Sequence, residues 1–310
     1  MKKVFIFGSL NIDLVSYVSR MPKPGETMTG EGFFTNAGGK GLNQASASAK
    51  LGADAYMIGA VGTDSYGGML KETLGGFGAD VNFVTTYDGN SGTAVIVVCK
   101  GQNSIILDGG ANSMLKADYV NKILRDNANA GDIFLTQLET PLNTTIASLK
   151  TAKSLKMTTV LNPAPAVKLP KEIYKCVDIL TPNETETEIL TGIMPECDVS
   201  SALAVKKLYS YGIGKVVITL GSKGILIAEG QILTPIPAVK VKVVDTTAAG
   251  DTFVGALVAE MSRDADFINA CKFGVKAAAL TCTRKGAAGS IPTIEEFNGF
   301  YAHNTNLRQP

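Results

Sequence analysis

The sequence predicts an α/β fold: a doubly wound, mainly parallel sheet flanked by helices, with a small antiparallel sheet as a lid. Three observations carry this. Short apolar runs alternate with segments of helical period along most of the chain, a succession that places helices on both faces of a parallel sheet. Two stretches break the rhythm, with strand following strand and no helix between. A hydrophobic content of 45% against 18% charged residues supplies a sizeable core and excludes a disordered chain.

Taken in order, residues 4–7 form the first buried strand, which stops at Gly8 and is too short for a signal peptide. Residues 13–17 and 32–35 read as one hairpin. A glycine-rich turn at 38–41 then opens a helix of small residues running through Leu51. Residues 55–61 form the next buried strand. Residues 93–99 and 104–107, around a turn at 100–103, form a second hairpin. Helical period at 116–127, 143–155 and 200–211 alternates with strands at 133–135, 158–161, 179–180 and 216–220. The last of these turns through 219–224 into 225–228. A strand-like run at 243–245 precedes a helix from about Gly250. Residues 1–310 therefore read as one unit, with lid strands inserted at about 11–19, 29–36 and 91–108. The lid either covers a pocket or pairs with another subunit. Ligands of such a sheet bind beyond the carboxyl ends of its strands.

Composition removes several functions. The formal charge of +1 argues against nucleic acid or an anionic membrane as partner, and no 18-residue apolar stretch occurs. The five cysteines have no pair at metal-knuckle spacing, and the single histidine, His303, falls in the polar C-terminal tail. No Cys/His zinc site and no histidine-dependent triad can be assembled. A cytoplasmic protein with reduced cysteines is expected.

The chemistry must come from elsewhere. Neither the P-loop pattern nor a G-x-G-x-x-G after the first strand is present, which weakens P-loop and oxidoreductase readings. The cluster Gly38-Gly39-Lys40-Gly41-Leu42-Asn43 fits a ligand-facing helix start as well as it fits a tight strand-to-helix turn. In Asp245-Thr246-Thr247-Ala248-Ala249-Gly250-Asp251, small residues leave a helix N-terminus open to an anion, with Asp251 in its first turn. Asp251 can be a helix-stabilising acid, or the base that accepts a hydroxyl proton during phosphoryl transfer. Asn183 and Glu186, three apart on a helix face, offer hard oxygen ligands to Mg²⁺, directly or through water.

These motifs resemble those of the ribokinase-like (PfkB) carbohydrate kinase family. The likeness runs from Gly8-Ser9-Leu10-Asn11-Ile12-Asp13 to Thr283-Arg284-Lys285-Gly286-Ala287, through Pro24-Gly25-Glu26-Thr27, residues 38–45 and residues 245–253. It implies ATP-dependent phosphorylation of D-ribose at its 5-hydroxyl, giving D-ribose 5-phosphate and ADP. Another sugar of the family, 2-deoxyribose above all, or a nucleoside is the alternative. A non-catalytic sugar-binding protein is more distant. The resemblance makes Asp251 the base and Ala248, Ala249 and Gly250 the anion hole. Asn11, Asp13, Gly39, Lys40, Gly41, Asn43 and Glu139 would hold the sugar with Asp251. Asn183, Glu186, Thr219, Gly221, Ser222, Gly224 and Gly250 would meet ATP. Val275 stands where the family often carries a polar or ring-bearing residue near adenine. Asn183 and Glu186 would organise Mg²⁺ through water. Asp245, Thr247, Thr281, Arg284, Gly286 and Ser290 would surround a monovalent cation, normally K⁺, mostly with backbone carbonyls. A homodimer joined through the lid sheets is implied as well.

Overall fold

The computed structural model describes residues 1–100 and 102–303. Strand β1 (Lys3–Phe7) runs straight into β2 (Asn11–Val18), followed by β3 (Gly32–Gly38), helix α1 (Lys40–Lys50), β4 (Asp54–Gly62), α2 (Ser65–Gly76) and β5 (Val84–Tyr87). The chain continues through β6 (Gly92–Cys99), β7 (Gln102–Asp108), α3 (Ala117–Asn127), β8 (Ile133–Thr136), α4 (Leu142–Ser154), β9 (Thr158–Leu161) and β10 (Ile179–Leu180). Then come α5 (Glu184–Thr191), α6 (Asp198–Ser210), β11 (Lys215–Thr219), β12 (Ile225–Glu229), β13 (Ile232–Ile236), α7 (Ala249–Ser262), α8 (Phe267–Thr281) and α9 (Ile294–His303).

Nine strands form the main sheet in the order β13-β12-β11-β10-β9-β8-β1-β4-β5. It is parallel from β11 to β5, and β12 alone runs against the rest, antiparallel to both β11 and β13. Alternation along each strand divides the core between the two faces. Val4 and Ile6 of β1 join Ile133 and Leu135 of β8 beneath α1, α7 and α8. Phe5 and Phe7 join Phe134 beneath α3, α4 and α6. The central strands β1, β8 and β10 are largely apolar because both faces are covered.

The second sheet has the order β3-β2-β6-β7. It is mixed, where a wholly antiparallel lid was expected. Each hairpin is antiparallel, but β2 and β6 pair in parallel, with Asn11 opposite Gly92. The cause is topological: β2 and β6 continue out of β1 and β5, which themselves run the same way in the main sheet. Gly101, in the turn expected at 100–103, lies outside the described residues.

Two further expectations are corrected. Residues 243–245 form no strand, and Val243 and Val244 are exposed. Their backbone leans on the end of α8 instead, with Val244 N–H donating to the Cys282 carbonyl at 2.8 Å. His303 closes α9 rather than lying in a tail. Among the described residues no helix is long and apolar enough to cross a membrane.

Candidate active site

The site is assembled at the carboxyl ends of the parallel strands, around the start of α7. Ala248 takes a left-handed conformation, φ +60°, and turns the chain into the helix without a side-chain cap. The Ala249 N–H donates to the Thr246 carbonyl at 3.2 Å, while those of Gly250 and Asp251 have no acceptor among the described residues. Unpaired N–H groups at the positive end of a helix dipole form an anion site. Of the expected anion-hole residues Ala248, Ala249 and Gly250, only Ala249 has its N–H engaged among the described residues, and Asp251 adds a further free donor.

Asp251 is buried, and each of its oxygens accepts a hydrogen bond from α1. Asn43 Nδ2 donates to Oδ2 and Gln44 Nε2 to Oδ1, both at 2.9 Å. A carboxylate only accepts, so both amides must face it with their NH₂ groups. That orientation turns Asn43 Oδ1 away, and it is left buried without a partner. It is an acceptor ready for a hydroxyl. The approach of α1 to α7 depends on small residues. A Cβ on Gly255 would stand 2.4 Å from Ala47 Cβ and 2.7 Å from the Gln44 carbonyl.

The glycine cluster before α1 brings backbone against the exit of β1. Gly39 has φ +90°, and a Cβ there would lie 2.9 Å from both Asn11 N and the Ser9 carbonyl. Only glycine fits. Glu139 Oε2 then accepts from the Ser9 hydroxyl at 2.6 Å and from Lys40 N–H at 3.1 Å. The Gly41 N–H donates to the same hydroxyl at 3.4 Å. Asn11 Oδ1 accepts from Asn112 Nδ2 at 2.8 Å, which commits the Asn11 amide to offering its NH₂. Asn11 and Glu139 line a recess with Asp108, Ser113 and Thr140.

Asp13 lies against Gly38, whose missing Cβ would be 2.2 Å from Asp13 Oδ2. Burial, with the charges of Glu139 and Asp251, raises the Asp13 pKa to about 7. Burial alone would lower the pKa of Lys40. Asp251, Glu139 and Glu186 more than offset it and hold the ammonium above its ordinary value. Lys40 is therefore a fixed positive charge among carboxylates.

Across the cleft from Lys40 lie Asn183, Glu186 and Thr219, together with residues 248–251. Asn183 caps α5: its Oδ1 accepts from Glu186 N–H at 2.8 Å, and Glu186 Oε2 accepts from Asn183 N–H at 2.9 Å. Burial raises the Glu186 pKa, partly opposed by the Asn183 N–H and Lys40. Mg²⁺ keeps several waters and is usually held by one or two carboxylates plus substrate phosphates. A single carboxylate and an amide on the cleft wall, already tied to each other, fit such water-mediated contact. Among the described residues no group of three His, Cys, Asp or Glu side chains forms a protein-only metal cage. Gly221 and Ser222 form a 3₁₀ turn beyond Thr219, closed by Gly224. Val275 does not line this cleft. It is buried in α8 among apolar residues.

Asp245 ties two loops together. Its Oδ1 accepts from Thr247 N–H at 2.9 Å and Thr247 Oγ1 at 2.7 Å, and its Oδ2 from Gly286 N–H at 3.0 Å. These bonds outweigh burial and hold the carboxyl below its ordinary range. A carboxylate between two loop backbones suits a monovalent cation. The side chains of Thr281 and Ser290 bond inward, to Thr252 and the Ala287 carbonyl, which leaves only their backbones for a ligand. The Arg284 guanidinium pairs with Glu296 at 2.9 Å.

Sequence reasoning had given no role to Gln44, Gln137, Asn162, Thr181 or Asn112. Asn162 and Thr181 immediately follow β9 and β10, so the strand-end rule reaches them. Asn112 lies in a 3₁₀ turn 101 residues from its partner Asn11, and no local pattern announces it.

Bare backbone donors beside a buried carboxylate, with hydroxyl-seeking amides on its other side, belong to a phosphotransferase that serves small polyhydroxyl acceptors. The relatives of the chain say the same. A family model described as pfkB family carbohydrate kinase matches residues 1–294, and the chain belongs to that family. It is 41% identical over 304 residues to the ribokinase of Haemophilus influenzae, covering 97% of this chain and 99% of the relative. It is 34% identical over 304 residues to a deoxyribokinase of Salmonella typhimurium, with the same coverage. The structure of Arabidopsis thaliana ribokinase complexed with ribose and ATP matches with a TM-score of 0.85 at 34% identity, over 96% of this chain and 98% of that one.

Proposed function

We propose that the protein phosphorylates D-ribose at its 5-hydroxyl with ATP, giving D-ribose 5-phosphate and ADP, with Asp251 as general base. The observation that carries this reading is the double setting of Asp251. On its backbone side are unpaired N–H groups, and on its side-chain side is Asn43, with an acceptor oxygen awaiting a partner. Asp251 takes the proton of the sugar hydroxyl as the oxygen attacks the γ-phosphorus in line. The bond from that phosphorus to the bridging oxygen breaks, and ADP leaves. The N–H groups of Gly250 and Asp251 stabilise charge on the transferring group. Lys40 adds a positive charge to the same cleft. Mg²⁺, when bound, neutralises phosphate charge, and Asn183 and Glu186 would hold its water shell. K⁺ would sit against Asp245 and the backbones of Thr247, Thr281, Arg284, Gly286 and Ser290. Closing the small sheet over the sugar would exclude water, the competing acceptor.

The small sheet also exposes Phe33, Val95, Ile105, Ile106 and Leu107. An apolar face of this kind supports a homodimer joined through the lid sheets, which sedimentation of wild type against Ile106→Glu would test. Use of ATP and five unpaired cysteines support a cytoplasmic enzyme.

The deciding experiment measures ADP release with ribose, 2-deoxyribose, fructose and adenosine, each with and without K⁺. Ribose is expected to lead. A clear preference for 2-deoxyribose would move the assignment to the deoxyribokinase relatives and keep the mechanism. No ADP from any acceptor would favour a binding protein.

A further inference from the structure

The Asp251 carboxylate is oriented by a chain of carboxamides, with Gln44 and Gln137 buried and Asn162 half-buried on the cleft wall. Gln44 is fully buried. Its Nε2 donates to Asp251 Oδ1 at 2.9 Å and to Asn162 Oδ1 at 3.1 Å, so both amide hydrogens are in use. Its Oε1 accepts from Gln137 Nε2 at 2.6 Å. Asn162 is fixed in turn by its own Nδ2, which donates to the Thr181 carbonyl at 2.8 Å. Reversing the Gln44 amide would set oxygen against carboxylate and NH₂ against NH₂, so its orientation is determined. The ends of β8, β9 and β10 thereby control a side chain of α1, which holds one oxygen of the carboxylate on α7.

We infer that Gln44 is a positioning residue for this kinase. It aims the Asp251 carboxylate at the acceptor hydroxyl, with Gln137 and Asn162 as its supports. The inference rests on Asp251 being the base. The last torsion of an Asp side chain is broad, so packing must select its angle. With Asn43 on Oδ2 and Gln44 on Oδ1 the plane is fixed, and lone pairs remain on both oxygens for the hydroxyl proton. Misplacing a reacting group by an ångström costs about a hundredfold in rate.

The test uses the full chain with saturating ribose and ATP. Gln44→Met keeps the length and removes every hydrogen bond. The turnover number should fall about tenfold to a hundredfold, while KM for both substrates stays within about threefold. In an Asp251→Asn background the same change should cost nothing further. Gln44→Glu keeps the native shape, but can donate to Asp251 only when protonated. Its turnover relative to wild type should rise as pH falls, and this variant carries the test if Gln44→Met does not fold. Wild-type turnover in Gln44→Met, a flat relative pH profile in Gln44→Glu, a loss confined to KM, or a full further loss on top of Asp251→Asn would each overturn the inference. Inactive Asp251→Asn beside unaffected Gln44→Met would remove the role of Gln44 alone. Wild-type turnover in Asp251→Asn would remove the base and this inference with it.

Discussion

Asn43 Nδ2 lies 2.9 Å from Asp251 Oδ2, although 208 residues separate the two in sequence. The contact joins the helix after the first glycine cluster to the helix after the second, and in the proposed reaction it links sugar recognition to proton transfer. Asp251→Asn keeps the volume but loses the proton acceptor. Its new NH₂ also meets the NH₂ of Asn43 or Gln44, a mismatch worth about 1–3 kcal/mol of stability. Turnover should fall by about two to four orders of magnitude, with the circular dichroism spectrum unchanged. Turnover like wild type would remove Asp251 from the mechanism.

Gly255 tests whether the close approach of the two helices matters. A Cβ at that position would meet Ala47 Cβ at 2.4 Å and the Gln44 carbonyl at 2.7 Å, on a helix whose backbone cannot yield cheaply. Gly255→Ala should destabilise by about 1–3 kcal/mol, as overpacked cores do, and lower turnover by moving Asn43 and Gln44 off Asp251. Thermal melting and steady-state kinetics on one preparation read both effects. An unchanged melting temperature would show that the helices adjust freely.

Asp245 carries the prediction on the cation. Asp245→Asn leaves one acceptor oxygen for three donors and removes the negative charge facing the loops. The K⁺ concentration for half-activation should rise about tenfold or more, as it does when a group supporting a metal is neutralised. Titration of ADP release with KCl, at ionic strength held by a larger cation, measures this. An unchanged midpoint would place the cation elsewhere.

The parts of the fold legible in the sequence are those with local causes. β1, β9 and β10 declared themselves as short apolar runs, because burial on both faces leaves no polar alternation to confuse them. Helices α3, α4 and α6 lie within two residues of their expected bounds. Residues 243–245 failed for a non-local reason. Val-Val-Asp suits a strand, but the segment pairs with no strand among the described residues, and the Cys282 carbonyl accepts its hydrogen bond. The parallel β2–β6 pair was illegible for the same reason, since strand direction is set by β1 and β5. In the site, motif residues such as Asn43 and Asp251 were visible, whereas Gln44, Asn112 and Asn162 act through partners about a hundred or more residues away. No spacing rule encodes such pairings.

Asp13 gives the site a pH dependence of definite sign. With its pKa raised from 3.8 to about 7 by burial and by Glu139 and Asp251, it is protonated in the free enzyme below neutrality. A sugar hydroxyl that donates to it is held more strongly by the ionised form, so binding favours loss of the proton. Ribose affinity measured calorimetrically without ATP should strengthen as pH rises from about 6 to about 8 and level off above. Stability should run the other way. The folded state holds a proton that the unfolded chain releases near 3.8, so the melting temperature of the free enzyme falls as pH rises from about 4 to about 7. Asp13→Asn should bind ribose more weakly at pH 8 and lose both slopes. If that variant keeps the wild-type slope in ribose affinity, the titrating group is another residue.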